Sequence, residues 1–209
     1  MGSDFVAVTD RQGGRNDSTN DLDTRERLVR AAIEVFLEKG YGGTRVQDIA
    51  RRAGFTSGAL YVHFPSRTAL LGEAIMREGQ TIMEQLANEV TSAGASGVSP
   101  AESLARLSSG EPTSLDLLLL EALALASRSD EAKEVLGQAL NGFVSNLMVM
   151  IETSRERGDV GDDIDLEALR QIVVSWVFGG VVVKALGLAT TSTDSLTHVT
   201  RRLLQGIGS

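Results

Sequence analysis

The chain has 209 residues, a formal net charge of −8, 42% hydrophobic and 23% charged residues, and no cysteine. This composition is typical of a soluble globular protein with room for one or two small domains. The absence of cysteine excludes disulfides, iron–sulfur clusters and thiolate metal sites, and it fits a reducing cytoplasm. Only three prolines, together with abundant alanine, leucine and glutamate, favour a helical fold.

Residues 1–21 are rich in Gly, Asp, Asn and Ser and show no hydrophobic periodicity, so we predict a disordered arm. Its two arginines, Arg11 and Arg15, leave two interpretations open, a solvated tail or an arm that touches DNA. The segment has neither the basic start nor the apolar stretch of a secretory signal. The longest apolar run, at 172–183, is shorter than the ~20 residues of a membrane span. We therefore expect no association with a membrane.

Two helices are predicted next in the chain. The first runs over 24–39, where Asp23 is a good N-cap and apolar residues recur at helical spacing. The second begins after Thr44, and Gln47 three residues on completes a capping box. Its apolar positions recur at intervals of three and four residues, so one face of this helix is expected to be buried.

A glycine turn and a third short helix follow. Gly54 supplies the permissive backbone of a tight helix exit, Thr56 caps the next helix, and Pro65 cannot continue it. Two short helices joined by a turn that contains glycine form a helix-turn-helix unit. The expected core of this unit consists of Phe36, Ile49, Leu60 and Phe64.

The helix-turn-helix segment is basic although the chain is acidic. Residues 41–67 carry four arginines and a single acid, Asp48. An acidic protein binds nucleic acid through a local basic surface, because phosphate neutralisation carries most of the affinity. Small residues at the start of the third helix allow close approach to base edges, and Tyr61 and His63 offer groups that contact phosphates. The predicted DNA-binding residues are Thr44, Arg45, Thr56, Ser57, Gly58, Ala59, Tyr61, His63 and Arg67.

The rest of the chain also reads as helix, with no segment of strand period. A long helix follows Ser66 and ends before a flexible loop at 92–97, and Ser99 opens the next helix with Pro100 at its first position. The remaining predicted helices cover 115–128, 130–157, 165–188 and 193–205, with a turn at 158–163. The predicted fold is therefore all-α.

The pattern from 24 to 75 resembles the DNA-binding domain of the TetR (tetracycline-repressor) family. The resemblance rests on three runs: Lys39-Gly40-Tyr41, then Thr44…Asp48-Ile49-Ala50…Ala53-Gly54, then Gly58…Leu60-Tyr61…His63-Phe64…Ser66-Arg67…Leu70. The chain departs from the usual family pattern at Phe55-Thr56, Ser57 and Arg67. By this resemblance, Thr44 and Arg67 contact phosphates, whereas Arg45, Tyr61 and the start of the third helix read bases.

The resemblance implies a domain plan and a function. Residues 22–75 are the helix-turn-helix DNA-binding domain, and 76–209 form a helical regulatory and dimerisation domain. A cytoplasmic repressor of this type binds double-stranded operator DNA as a homodimer and is released by a small, partly apolar effector. No cofactor or metal is expected. Nine basic and fifteen acidic residues lie within 96–209, so this half should be repelled by DNA.

The resemblance also directs attention to two sets of residues in the C-terminal half. The expected ligand-pocket residues are Leu118, Glu121, Leu125, Phe143, Leu147, Met148 and Trp176. The expected dimer-interface residues are Val173, Val177, Gly180, Val181, Leu196, Val199, Leu203 and Leu204. The alternative for both sets is plain core. For Glu121, flanked by apolar residues, a structural ion pair with an arginine, such as Arg106 or Arg170, is favoured over ligand recognition.

An enzymatic function has little support in the sequence. The chain has two histidines, His63 and His198, and it lacks a His-Glu-x-x-His motif, a nucleophile elbow and a phosphate-binding glycine loop. The competing hypothesis is an all-helical binding or enzyme domain in which the N-terminal three-helix unit is only structural. Binding to short duplex DNA separates this hypothesis from a transcription regulator.

Overall fold

The computed structural model describes residues 13–92, 99–156, 164–188 and 191–206. Over these ranges the chain is helical and contains no strand, as the sequence predicted. The helices are α1 (Gly13–Gly43), α2 (Val46–Ala53), α3 (Ser57–His63), α4 (Arg67–Ser92), α5 (Pro100–Ser108), α6 (Ser114–Ala126), α7 (Asp130–Glu156), α8 (Leu166–Ala185) and α9 (Thr193–Gly206). The predicted arm at 1–12, the loop at 93–97 and the turn at 158–163 lie outside the described residues.

Side-chain caps determine where several helices begin. The hydroxyl of Thr56 accepts a hydrogen bond from the backbone N–H of Ala59 at 3.2 Å, at the start of α3. Ser99 caps α5 in the same way, accepting from Glu102 N at 3.2 Å, with Pro100 at the first helical turn. Each cap satisfies an N–H group that has no partner inside its own helix. The predicted caps at Thr56 and Ser99 are confirmed.

The N-terminal core joins α1, α2 and α3 to the first turns of α4. The four residues expected in this core, Phe36, Ile49, Leu60 and Phe64, are each at most 3% exposed. Burying a side chain of this size stabilises the fold by about 1.5–3 kcal/mol relative to leaving it in water. The hydrophobic pattern of the helix-turn-helix segment therefore predicted its core correctly.

α1 begins at Gly13, well before the predicted start at residue 24, so residues 13–21 of the expected arm are helical. No proline lies between 13 and 39 to break the helix. Once a helix is nucleated, each further residue adds a hydrogen bond at little cost, so the capping signal at Asp23 does not end it. The prediction of a disordered arm is wrong for 13–21.

α1 is broken near its end by Gly40, whose backbone angles of φ 67° and ψ 168° are not helical. A Cβ atom built on Gly40 would lie 2.8 Å from Oε1 of Glu121 in α6. A positive φ is unfavourable for residues that carry a Cβ, and glycine adopts it freely. Gly40 therefore allows both the change of chain direction and the close approach of α6 to the N-terminal unit.

Replacing Gly40 with alanine is expected to lower the free energy of unfolding by about 1–2 kcal/mol, because alanine is strained at this φ. Gly42 is the matched control, since a Cβ there would meet nothing within 4 Å and its φ is not positive. Gly42→Ala should be neutral or slightly stabilising. Urea titrations of both variants provide the comparison, and equal effects at the two sites would contradict the role given to Gly40.

α4 connects the N-terminal unit to the remaining helices. It packs against α1, α6 and α7. Two ion pairs, Arg25 with Glu73 and Arg77 with Glu26, also join α4 to α1. In the C-terminal half, α5 packs against both α8 and α9, and α6 packs against α7 and α8. A movement of α4 within the C-terminal half would therefore be transmitted to α1.

Candidate nucleic-acid interface and internal cavity

The turn between α2 and α3 is held by backbone and side-chain hydrogen bonds. Gly54 ends α2 with a left-handed φ of 80°, and Phe55 N donates to Ala50 O at 2.8 Å across the turn. From α1, the guanidinium of Arg27 donates to Ala53 O at 3.0 Å and lies 4.6 Å from the centre of the Phe55 ring. These contacts fix the orientation of α3 relative to α2 and α1.

α3 presents an exposed outer face whose first turn carries only small side chains. Tyr61 is 54% exposed and Val62 is 80% exposed, although Val62 was not among the predicted contacts. Near the start of the helix Thr56 and Gly58 are exposed, and Ser57 and Ala59 are half-buried. The backbone of this turn is therefore open to close approach by a base edge. The structure brings together Thr56, Ser57, Gly58, Ala59 and Tyr61 on this helix.

Arg45 lies beside this surface, at the N-cap position of α2. Its backbone is extended, with φ −108° and ψ 148°, and its side chain makes no capping bond. The residue is exposed, and among the described residues its guanidinium has no hydrogen-bond or ion-pair partner. A guanidinium without a protein partner can form paired hydrogen bonds with guanine or with phosphate.

Thr44 does not have the predicted position. It is 0% exposed, and its single hydroxyl proton faces two acceptors, Gly40 O at 2.7 Å and Val35 O at 3.3 Å. The N-cap of α2 is Arg45, one residue later than predicted. The predictions that Thr44 caps α2 and that its side chain contacts phosphate are both wrong. The hydroxyl is buried and is hydrogen-bonded to carbonyl oxygens of α1.

Arg67, at the start of α4, is half-buried and has a structural role. Its guanidinium lies 3.9 Å from the centre of the Tyr41 ring and donates a hydrogen bond to the carbonyl oxygen of Thr44. The Tyr41 hydroxyl is in turn 2.8 Å from the Thr68 hydroxyl. These contacts join α4 to the segment before α2. The contact of Arg67 with phosphate stays a prediction.

Ion pairs within the protein occupy the other arginines of α2. Arg52 bridges Glu34 and Glu38 of α1, and this hydrogen bonding lowers the pKa of Glu38. Asp48 accepts hydrogen bonds from Lys39 at 2.9 Å and Arg51 at 2.8 Å, and the bond from Lys39 is the main reason why its pKa is lowered. The count of arginines in the sequence therefore overstates the free positive charge on this surface.

His63 faces inward from α3. Its side chain is 10% exposed, and Nδ1 lies 3.5 Å from the carboxylate of Asp21 in α1. Little of the ring is left for a phosphate, so the predicted DNA contact is wrong for this conformation. Asp21 lies within the stretch expected to be a disordered arm, so no pattern in the sequence predicts this pair.

A cavity of about 180 Å³ lies among the helices of the C-terminal half. Most of its wall is apolar, with Leu119 of α6, Phe143 of α7 and Val177 of α8 among the lining residues. α4 also contributes, through Ile82 and Gln85. The cavity is therefore lined by the same helix that begins in the N-terminal unit.

A buried ion pair closes one side of this cavity. Lys184 Nζ of α8 lies 2.7 Å from Asp116 Oδ2 of α6, and the two side chains are 3% and 6% exposed. Asp116 Oδ2 also accepts from the N–H of Thr113 at 2.7 Å and from its hydroxyl at 2.8 Å. These bonds form a capping box at the start of α6, so the carboxylate is held in place before Lys184 contacts it.

The predicted ligand-pocket residues do not form one site. Phe143 lines the cavity, Trp176 lines a separate pocket with Gly180, and Met148 lines a surface groove. Leu118 is 1% exposed within the core, and Leu125 packs against it. The side chain of Leu147 lies outside the described residues. Apart from Phe143, the described members of the set are therefore not placed in the cavity.

Glu121 is not in an ion pair with either predicted arginine. Arg106 pairs with Glu102 at 2.8 Å, and the Nε of Arg170 donates to Glu167 at 3.0 Å, which lowers the pKa of Glu167. The carboxylate of Glu121 lies instead beside the α1 kink, as described above. The predicted ion pair is therefore wrong.

Sequence reasoning missed Asp116 and Lys184. They are 68 positions apart, so no local pattern connects them. Two weak signals were available: Asp116 is the acidic third residue after the cap Thr113, and Lys184 ends an apolar run. Neither signal indicates that the two side chains meet at a cavity.

The predicted dimer residues of α8 face the core of their own protomer. Val173, Val177 and Val181 are at most 5% exposed. Gly180 is buried against α5, where a Cβ would lie 2.7 Å from the Cα of Ser108. Assigning these four residues to the dimer interface is therefore wrong, because α5 and α6 already cover that side of the helix.

The other side of α8 is exposed and apolar. Ile172 and Val182 are 54% and 42% exposed, and Gly179 between them is open to solvent, with nothing within 4 Å of a Cβ built there. On α9, Val199 and Leu203 are 52% and 51% exposed. Leu196 is half-buried, and the side chain of Leu204 lies outside the described residues.

In the part of the chain that the structure describes, α8 is the one helix with the length and hydropathy of a membrane span. Its mean hydropathy is 1.6. One side of α8 packs on α5 and α6, and Lys184 on that side pairs with Asp116. The apolar residues on that side of α8 are therefore explained by packing within the protein, and no membrane is needed to explain them.

Comparison with known proteins agrees with this arrangement. A family model described as bacterial regulatory proteins, tetR family, matches residues 28–74. The HTH-type transcriptional repressor KstR2 of Rhodococcus jostii (strain RHA1) is 28% identical over 160 residues, which cover 73% of this chain and 75% of that protein.

Two solved structures share the fold. Salmonella enterica GusR has a TM-score of 0.66 and 23% identity, covering 90% of this chain and 96% of its own. FadR from Bacillus subtilis in complex with stearoyl-CoA has a TM-score of 0.59 and 20% identity, covering 87% and 98%. Residues 28–74 of this chain are therefore similar to the tetR family of bacterial regulatory proteins, and the described chain shares its helical fold with these two solved structures.

Proposed function

We propose that this protein is a dimeric, cytoplasmic transcriptional repressor that binds operator DNA and is released by a small, partly apolar effector. The main support is the surface formed by the exposed first turn of α3 and the unpaired guanidinium of Arg45. The repressor role is supported by relatives that carry that description, such as KstR2. The competing hypothesis, a helical binding or enzyme domain with a purely structural N-terminal unit, gives no reason for such a surface.

We assign DNA binding to residues 22–75 and regulation with dimerisation to 76–209. The boundary falls inside α4 (Arg67–Ser92), so the two parts share a continuous helix. In this assignment α3 enters the major groove with its small first turn, and Arg45 and Tyr61 reach the nucleic acid on either side. Arg45, the N-cap residue of α2, makes no side-chain capping bond, so the first N–H groups inside this helix can donate to a phosphate.

DNA binding is tested by selecting duplexes from a randomised pool with the full chain at moderate salt. A repressor dimer should select a palindromic or near-palindromic site whose half-sites lie one helical turn, ~34–36 Å, or a multiple of it apart. If the chain binds no duplex, or binds all of them equally weakly, the competing hypothesis is correct.

Arg45→Ala is expected to weaken binding to the selected duplex by about 1–3 kcal/mol and to relax selectivity at particular positions. Arg52 is the matched control on the same short helix, because Glu34 and Glu38 already neutralise it. Arg52→Ala should change DNA affinity much less. Fluorescence anisotropy on the selected duplex and on single-base variants measures both effects, and equal losses for the two variants would contradict the assignment of Arg45.

We assign the homodimer interface to the exposed side of α8 together with α9. Apolar side chains on both helices remain uncovered in the protomer, including Ile172, Val182, Val199 and Leu203. An apolar surface of this kind is unfavourable in water, and helix–helix interfaces between subunits are commonly formed by such surfaces. A two-fold symmetric contact of this kind would place the two α3 helices on one duplex.

We assign effector binding to the cavity that Asp116 and Lys184 close. Ile82 and Gln85 of α4 line this cavity, and the same helix begins at Arg67 within the DNA-binding unit. An effector that shifts α4 would change the spacing of the two α3 helices. Effector and operator would then each weaken the binding of the other by the same factor. The complex of FadR with stearoyl-CoA supports a partly apolar ligand in this fold.

A further inference from the structure

We infer that the effector is a small, uncharged and mostly apolar molecule whose hydrogen-bond acceptor, such as a ketone or ester carbonyl, faces Lys184 Nζ. This inference rests on the proposed function, since it takes the cavity to be the effector site. Three properties of the cavity lead to it: its size, its unused hydrogen-bonding capacity and its charge.

The size and the wall of the cavity favour a compact apolar body. The volume is about 180 Å³, and the lining includes Leu115, Leu119, Phe143, Val177 and Val181. An engineered apolar cavity of about 150 Å³ in another protein holds a benzene molecule. The cavity of this chain therefore suits a single ring with a short substituent, whereas a long acyl chain with its carrier group is far too large.

The ammonium of Lys184 has unused hydrogen-bonding capacity, and that capacity consists of donors. Asp116 Oδ2 already accepts from Lys184 Nζ and from the N–H and hydroxyl of Thr113. An ammonium group has three donors, and among the described residues Lys184 Nζ donates only to Asp116. A ligand that enters the cavity can therefore gain a charge-assisted hydrogen bond by presenting an acceptor to Nζ.

The charge of the pair disfavours an ionic ligand. Asp116 and Lys184 neutralise each other at 2.7 Å in a site where both side chains are nearly inaccessible to solvent. Arg106 also lines the cavity, and its guanidinium pairs with Glu102 at 2.8 Å. A bound anion would add a negative charge beside Asp116, and a bound cation would add a positive charge beside Lys184. Either one would leave an uncompensated buried charge, which is costly. The capping box holds the carboxylate at Thr113, so it cannot swing away to make room for an anion.

The inference is tested by titrating four probes into the full-length protein by calorimetry: acetophenone, ethylbenzene, benzoate and stearoyl-CoA. Acetophenone and ethylbenzene have similar shapes but differ in the carbonyl acceptor, and benzoate adds a charge. We expect acetophenone to bind at least about tenfold more tightly than each of the others, because a hydrogen bond from a charged donor is worth about that factor. Tighter binding of benzoate or stearoyl-CoA would overturn the inference, as would no binding by any probe.

A double variant shows whether Lys184 is the donor. Asp116→Asn with Lys184→Met leaves the site neutral and keeps an acceptor near Thr113, but it removes the ammonium. The preference for acetophenone over ethylbenzene should then fall to about one. A second readout needs no variant, since hydrogen bonding from Nζ lowers the carbonyl stretching frequency of bound acetophenone below its value in an alkane. An unchanged preference or an alkane-like frequency would each contradict the role of Lys184.

These measurements separate the inference from the proposed function. Calorimetry is done without DNA, and operator binding is measured without probes. Absence of operator binding would refute the proposed function whatever the probes do. Operator binding combined with the wrong order of probes would refute the inference alone. Release of the operator by acetophenone, with no release by ethylbenzene at the same concentration, is the result that supports both.

Discussion

Gly179→Glu is expected to convert the protein from a dimer to a folded monomer and to reduce operator affinity by at least about a hundredfold. Gly179 lies in the middle of the exposed side of α8, and a side chain there meets nothing within the protomer. A glutamate at a helix–helix contact would bury an unpaired charge in the dimer. The loss in operator affinity follows because linked binding of two half-sites adds a factor of roughly 10²–10⁴.

The control for this prediction is Gly142→Glu, which makes the same change on α7. Gly142 is exposed, and a Cβ there also meets nothing within 4 Å. Sedimentation should show a dimer for Gly142→Glu and a monomer for Gly179→Glu, with the helical circular dichroism of both retained. A dimeric Gly179→Glu protein would place the interface elsewhere on the molecule. An unfolded one would show that this side of α8 belongs to the core.

The two neighbouring glycines of α8 show why the sequence could not orient this helix. Its apolar residues lie on most of its circumference, so periodicity alone does not indicate which side is the core. Gly180 faces Ser108 of α5 at a distance that admits no Cβ, whereas Gly179 faces solvent. That distinction depends on where α5 lies, which is a tertiary property. The four residues predicted on α8 therefore lie on its buried side, and the assignment of the interface to α8 and α9 stays a proposal.

The helix-turn-helix unit was predicted more accurately, because its signals are local. The core residues, the glycine exit at Gly54 and the cap at Thr56 all depend on neighbours within a few positions. The error at Thr44 has a non-local cause. The break at Gly40 frees a carbonyl oxygen that accepts the Thr44 hydroxyl, so the side chain turns into the core and Arg45 becomes the N-cap.

Lys184→Met is expected to lower the free energy of unfolding by about 3–5 kcal/mol, because it leaves the Asp116 carboxylate buried without its charged partner. The two side chains are 3% and 6% exposed, so bulk solvent screens the remaining carboxylate charge poorly. Methionine has a similar length and fills the space left by the lysine stem, so the loss is mainly electrostatic. Urea unfolding followed by circular dichroism measures the change.

Arg170→Met is the matched control for Lys184→Met, since it removes the partner of Glu167 on the same helix at an exposed position. Exposed ion pairs contribute about 0–1 kcal/mol, so this control should be close to the wild type. The double variant Asp116→Asn with Lys184→Met should recover most of the stability, because no charge is then left buried. If Lys184→Met and Arg170→Met lowered the free energy of unfolding equally, the ion pair of Asp116 and Lys184 would be solvated. It would then neither stabilise the helices around the cavity nor select the ligand. A double variant no more stable than Lys184→Met would instead trace the loss to packing around α8.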